Sequence, residues 1–317
     1  MTLLEEYRAS LKSMDTEEHI DLWFYRPLGF IWAKLFAKIG VSPNAVTIAS
    51  IILGVAGGVL LYFDPVHRWL NYVGILLIIW ANTYDSADGQ LARLTKQYSR
   101  LGRILDGLSG DLWFFAIYFA LVFREIHFGD QLAGDYFVIH HAPIWIIAVL
   151  AGISHTKQAA SADYYRQFHL YFLKGKEGSE LDNAEPLKRA AKQMPWKGNF
   201  WKKVTALGYA NYTAQQELFT PQMQRLRKAL QTTYGDNIPQ DFRDRFRAAS
   251  LPMMKYTNML SFNTRTIAMF IAVIIRMPWL YFVFELVVLN AMLVYMICCH
   301  ERFCKRFATE VENANQQ

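Results

Sequence analysis

Asp85 and Asp88 follow directly on an apolar run, in the stretch Tyr84-Asp85-Ser86-Ala87-Asp88-Gly89-Gln90-Leu91-Ala92-Arg93. On a helix, Asp85, Asp88, Gly89, Ala92 and Arg93 fall at i, i+3, i+4, i+7 and i+8, on a single face. That face carries two carboxylates, two residues with almost no side chain, and one guanidinium. After Arg93 and eight intervening residues come Gly102 and then Asp106, again in an i, i+4 relation. Two helices joined by a short turn would aim Asp85, Asp88 and Asp106 at one point. Three converging carboxylates repel one another and are costly to desolvate at a membrane surface, and a divalent cation removes both penalties. Mg²⁺ takes oxygen ligands and typically bridges carboxylates to substrate phosphates. Gly89 and Ala92 leave space for a ligand close to the backbone, and Arg93 adds a forked donor for phosphate.

The elements that must position these residues are apolar helices. The chain has 317 residues, of which 53% are hydrophobic and only 19% charged. This composition excludes a disordered chain, and 3 Cys exclude a disulfide scaffold. The mean hydropathy of +0.09 fits apolar spans diluted by a polar segment. Six runs stand out: Val46–Phe63, Trp69–Tyr84, Ile104–Phe123, Tyr136–Ser154, Thr257–Ile275 and Pro278–Cys299. A crossing helix needs about 20 apolar residues. Each run meets or approaches that length, the second if its helix continues past Tyr84. Ahead of them, Leu28, Ile31, Trp32, Leu35, Phe36 and Ile39 share one helical face, with Pro27 suited to the first turn. That pattern reads as an interfacial helix. No cleavable signal peptide is evident. Lys96 and Arg100 in the loop after the second run, and Arg302, Lys305 and Arg306 after the sixth, place these regions and both termini inside.

The expected architecture is an all-α integral membrane protein. Residues 1–41 form a cytoplasmic and interfacial segment, residues 42–163 transmembrane helices one to four with the motif, and residues 164–256 a mainly helical cytoplasmic insertion. Residues 257–300 form helices five and six, and residues 301–317 a cytoplasmic tail. The insertion carries 16 Lys and Arg against 8 Asp and Glu, so +8, while the rest of the chain, at 17 against 19, stands at −2. The net +6 therefore belongs to the insertion. Its turn signals include Gly178-Ser179 and Ile238-Pro239. A partner of anionic lipid headgroups fits this balance, and no nucleic-acid-binding signature is present.

The pattern Asp85-x-x-Asp88-Gly89-x-x-Ala92-Arg93, then eight residues, then Gly102-x-x-x-Asp106 resembles the signature of the CDP-alcohol phosphotransferases. Ser42-Pro43-Asn44-Ala45-Val46-Thr47 is also similar to that family. The resemblance covers residues 40–160 and 257–300 and leaves the insertion unexplained. It implies six transmembrane helices, usually in a homodimer, around a polar cavity open to the cytoplasm. It also implies transfer of a phosphatidyl group from a CDP-linked lipid such as CDP-diacylglycerol to a small alcohol, with release of CMP. By this likeness Asp85, Asp88 and Asp106 bind two Mg²⁺ or Mn²⁺ ions. Asn44, Asp85, Gly89, Ala92 and Arg93 hold the CDP group. The family places a fourth Asp, a metal ligand and general base, four residues after the third. Here that position is Gly110, and Asp111 comes one residue late. In a regular helix Asp111 points about 140° away from Asp106. A one-residue π-bulge, eased by Gly107 and Gly110, would bring it back. The alternatives are a one-metal enzyme or a catalytically silent CDP-lipid-binding or scaffold relative.

Lys157, Arg166 and Arg265 are candidates for binding a phosphate on the acceptor, as a phosphorylated polyol such as inositol phosphate or glycerol phosphate would require. Arg265 lies within the fifth run, where a cation is costly. Gly54 and Gly58 read as a close helix contact. Cys298, Cys299, His300 and Cys304 lack the paired spacing of a zinc site and read as reduced thiols. Nothing suggests the inverted repeats of a transporter.

Overall fold

The computed structural model describes residues 2–11, 13–63, 67–133, 135–175, 181–235 and 237–314. Its regular elements are helices, with no strand among the described residues. The chain divides into two compact units, residues 1–152 with 262–286, and residues 153–261 with 287–317.

The first unit opens with α1 (Leu3–Ser10), started by a capping box in which the Thr2 hydroxyl accepts from Glu5 N–H. A π turn, Asp21–Tyr25, runs directly into α2 (Arg26–Ile39). Pro27 lies in its first turn, and Gly40, at φ 74°, ends it. The apolar face expected on α2 is divided. Leu28, Ile31, Leu35 and Ile39 are exposed, whereas Trp32 and Phe36 each meet the Tyr84 ring edge-on.

Next come α3 (Pro43–Leu60), α4 (Arg68–Thr95) and α5 (Arg100–Phe128). Ser42 caps α3 by accepting from Ala45 N–H, with Pro43 at the first helical position. These helices approach closely because small residues line the contacts. A Cβ on Gly54 would stand 2.3 Å from the Trp113 ring, and one on Gly57 2.8 Å from the Gly74 carbonyl. At the far end, Arg124 donates to Leu61 O (3.1 Å) and Asn71 Oδ1 (2.8 Å), and so satisfies a carbonyl that the end of α3 leaves open.

A short α6 (Tyr136–Ile139) precedes α7 (His141–Lys174). With α13 (Phe262–Ile274) and α14 (Trp279–Phe284), the first part of α7 buries a core of Ile78, Ile117, Leu121, Ile144, Met269 and Phe282. The second unit contains α8 (Ala184–Gln193), α9 (Phe200–Leu218), α10 (Pro221–Tyr234), α11 (Gln240–Ser250), α12 (Met254–Met259) and α15 (Asn290–Ala314). Phe168, Phe172, Phe246 and Phe307 form its aromatic centre. The expected tail is mostly helical. Residues 301–314 continue α15, where Glu312 pairs with Arg225 and Glu301 accepts from Gln222 N–H at 2.6 Å.

By length and composition, three described helices can cross a membrane: Pro43–Leu60, Leu105–Phe128 and Trp279–Ala314. The fifth expected run is not one helix. Leu260 and Ser261 close i→i−3 bonds onto Thr257 and Asn258, which end α12, and α13 begins at Phe262 with only 13 residues. The Gly178-Ser179 turn lies outside the described residues.

Candidate metal centre

The three aspartates converge as their spacing predicts. One carboxylate oxygen from each of Asp85, Asp88 and Asp106 lies within 4.8 Å of the others. Asp88 is buried, Asp85 half-buried and Asp106 exposed, so the cluster is graded from the protein interior towards solvent. Oxygen donors from three carboxylates suit a hard cation.

Two hydroxyls hold this geometry. Thr47, buried on α3, donates to Asp88 Oδ2 at 2.5 Å. Ser109, buried on α5, reaches Asp85 Oδ1 and the Asp106 carbonyl, each at 2.8 Å. Both donors favour ionised carboxylates over protonated ones. Sequence reasoning gave neither a role. The signals were present, since Thr47 closes the Ser42–Thr47 stretch and Ser109 follows Asp106 at i+3.

Asn44 also reaches the motif. Ser99 caps α5 by accepting from Gly102 N–H at 2.8 Å, and its hydroxyl donates to Asn44 Oδ1 at 2.9 Å. A Cβ on Gly102 would stand 2.5 Å from Asn44 Oδ1 and 2.9 Å from Ser99 Oγ, so a larger residue there would displace this hydrogen-bonded pair. On α4, the Arg93 guanidinium folds over Gly89, with Nη2 3.3 Å from where a Cβ would sit. Arg93 Nε donates to the Ser10 carbonyl, and Gln90 Nε2 donates to Ser10 Oγ at 3.0 Å. The N-terminal segment thus packs on the motif helix. This contact spans some 80 residues of sequence and had no signal there.

The bulge expected between Asp106 and Asp111 is absent, because α5 is a regular α-helix from Arg100 to Phe128. Asp111 is exposed and stands outside the three-aspartate group. The physical reason lies in the rest of α5. In a regular helix Asp106, Ser109, Trp113 and Ile117 share one face. Ser109 then meets Asp85, while Trp113 and Ile117 pack on Gly54 and Gly58. An inserted residue would rotate Trp113 and Ile117 about 100° relative to Asp106 and forfeit that packing.

Arg265 is likewise corrected. It is 1% exposed, and its Nη1 donates to both Glu285 oxygens at 3.0 Å. Tyr281 OH also donates to Glu285 Oε1, at 2.7 Å. A π turn, Glu285–Leu289, begins at the pairing residue. Arg265 is therefore committed to a buried ion pair and is not available to an acceptor phosphate. Asn290, at the start of α15, bonds Ser154 and Gln158 in the second unit. In that unit Arg166 donates to Ser261 Oγ at 2.6 Å and Asn258 Oδ1 at 3.2 Å, and Lys157 lies 5.3 Å from the Phe219 ring centre. All three cysteines are free thiols.

Residues 40–165 match the model of the CDP-alcohol phosphatidyltransferase family, and that stretch is a domain of this family. It contains Asn44, Thr47, the three aspartates, Arg93 and Ser109. No curated protein and no solved structure matches the chain.

Proposed function

We propose that the protein is a membrane-embedded transferase that moves a phosphatidyl group from a CDP-linked lipid such as CDP-diacylglycerol to the hydroxyl of a small alcohol, releasing CMP. The convergence of Asp85, Asp88 and Asp106 beside Gly89 and Arg93 carries this reading. Asp85, Asp88 and Asp106 would hold Mg²⁺ or Mn²⁺, as two ions in the family pattern. The metal supplies positive charge that neutralises the diphosphate and the leaving phosphate. Gly89 and Ala92 leave room for the nucleotide along α4. Arg93 and Asn44 offer donors to it, and Thr47 and Ser109 orient the Asp88 and Asp85 carboxylates through their hydroxyl hydrogen bonds. Lys157 and Arg166 would meet a phosphorylated acceptor. The chain would cross the membrane six times, as a homodimer in the plasma or bacterial inner membrane, with the site and the basic insertion facing the cytoplasm and anionic headgroups.

A second reading has a specific observation behind it. With α5 regular and Asp111 outside the cluster, the site has three carboxylates where the family pattern has four. A catalytically silent CDP-lipid-binding relative fits that deficit. Purified protein with CDP-diacylglycerol, Mg²⁺ or Mn²⁺ and a panel of alcohols and alcohol phosphates separates the two. CMP release dependent on one acceptor is expected. Retained nucleotide binding without turnover on any acceptor would favour the silent relative.

A further inference from the structure

The connection from α8 to α9 exposes an unusual set of residues. Trp201 is 76% exposed, Phe200 54% and Trp196 51%, and Val204 is exposed one turn further on. Large apolar side chains left together in solvent generally mark an interaction surface. Exposed cations flank them along the chain: Lys192, Lys197 and Lys202, with Arg189 paired to Glu185. Across residues 185–203 the only acid facing six Lys and Arg is Glu185.

The tip is held rigidly. Lys203 is buried, and its ammonium donates to the Lys192 and Met194 carbonyls at 3.2 and 2.6 Å. It thereby satisfies backbone acceptors where α8 ends, and it sits 4.7 Å from the Trp196 ring centre. The other half of α9 is anchored. Tyr209 donates to Asp182 Oδ2 (2.8 Å), Gln216 to the Ala160 carbonyl (3.0 Å), and Glu217 accepts from Ala184 N–H (2.9 Å). One end of α9 is thus fixed in its unit, and the other presents aromatics and lysines outward.

We infer that this tip, Trp196 to Val204, is a docking surface for an anionic lipid bilayer. Trp and Phe prefer the level of the headgroups, and a cationic rim is attracted to acidic lipid. The helix is an interfacial rather than a crossing element, because α9 is absent from the described helices apolar enough to span. Aromatic and basic residues together also bind single-stranded RNA, but Val204 offers nothing to a base, and the chain's apolar helices already place it at a bilayer. The inference stands independently of the transferase chemistry.

Full-length protein in nanodiscs of phosphatidylcholine, with or without phosphatidylglycerol, provides the test. Lys197 lies on the exposed turn, so trypsin cleavage after it, followed by mass spectrometry, reports whether the tip is covered. Cleavage is expected to slow by about tenfold or more in the anionic discs and to recover partly at high salt. The exposed double substitution Phe200→Ser/Trp201→Ser should abolish the protection without changing the unfolding temperature. Equal cleavage in both discs overturns the inference. So does protection in neutral discs that appears only with added poly(U) RNA or only at high protein concentration, which would assign the surface to nucleic acid or to a second copy.

Discussion

Replacing Thr47 with Val keeps the shape of the side chain and removes one hydroxyl. That hydroxyl is buried and donates to Asp88, itself only 4% exposed, at 2.5 Å. A hydrogen bond to a charged group contributes about 1.5–3 kcal/mol. If the bond holds Asp88 ionised and oriented for a cation, its loss should weaken Mg²⁺ binding by about 10- to 150-fold. Two readouts follow. The Mg²⁺ concentration giving half-maximal CMP release should rise by that factor, with the rate largely recovered at saturating metal. The Mg²⁺-induced rise in unfolding temperature, which needs no turnover, should shift to higher metal concentration by the same factor. Thr47→Ser restores the hydroxyl and should behave as the parent does. Thr47→Val protein that folds normally and shows an unchanged Mg²⁺ dependence by both measures would refute the claim that Thr47 organises the metal centre.

Asp106→Asn should abolish the Mg²⁺-induced stabilisation, whereas Asp111→Asn should change it by about twofold at most, the scale of a surface substitution. Gly110→Asp is a sharper probe, because a Cβ there meets nothing within 4 Å. The new carboxylate would sit one turn beyond Asp106 and should lower the Mg²⁺ requirement, seen in the same thermal titration. Arg265→Met or Glu285→Leu alone should destabilise by about 3–5 kcal/mol by stranding a buried charge, and the double variant should recover most of it in chemical unfolding. In the folded double variant the acceptor KM is expected to be unchanged, since Arg265 is buried and paired with Glu285. Gly29→Val should cost about 1–3 kcal/mol in unfolding measurements, because a Cβ there lies 2.6 Å from Gln90 Oε1 and 3.1 Å from the Ala87 backbone nitrogen.

Local periodicity made part of the site readable before any coordinates. Asp85, Asp88, Gly89, Ala92 and Arg93 share a face because helical geometry alone puts them there, and a short turn leaves Asp106 little choice of direction. Ser42 and Pro43 announce the start of α3 for equally local reasons, and Gly54 and Gly58 their close packing. Tertiary structure decided the rest. Whether α5 bulged depended on Trp113 and Ile117 finding Gly54 and Gly58, a packing constraint that glycines at 107 and 110 could permit but not impose. The partner of Arg265 was decided by the packing that brings Glu285, at the start of a π turn, against it, and a spacing of twenty residues carries no signal for that pair. The contact of Arg93 with the Ser10 carbonyl joins segments distant in sequence, and a backbone acceptor carries no residue-type signal. Composition likewise located the positive charge in residues 164–256. That this charge flanks exposed Trp and Phe at one rigid tip follows only from the fold, because Lys203 has to turn inward to hold the turn while Lys197 and Lys202 face solvent.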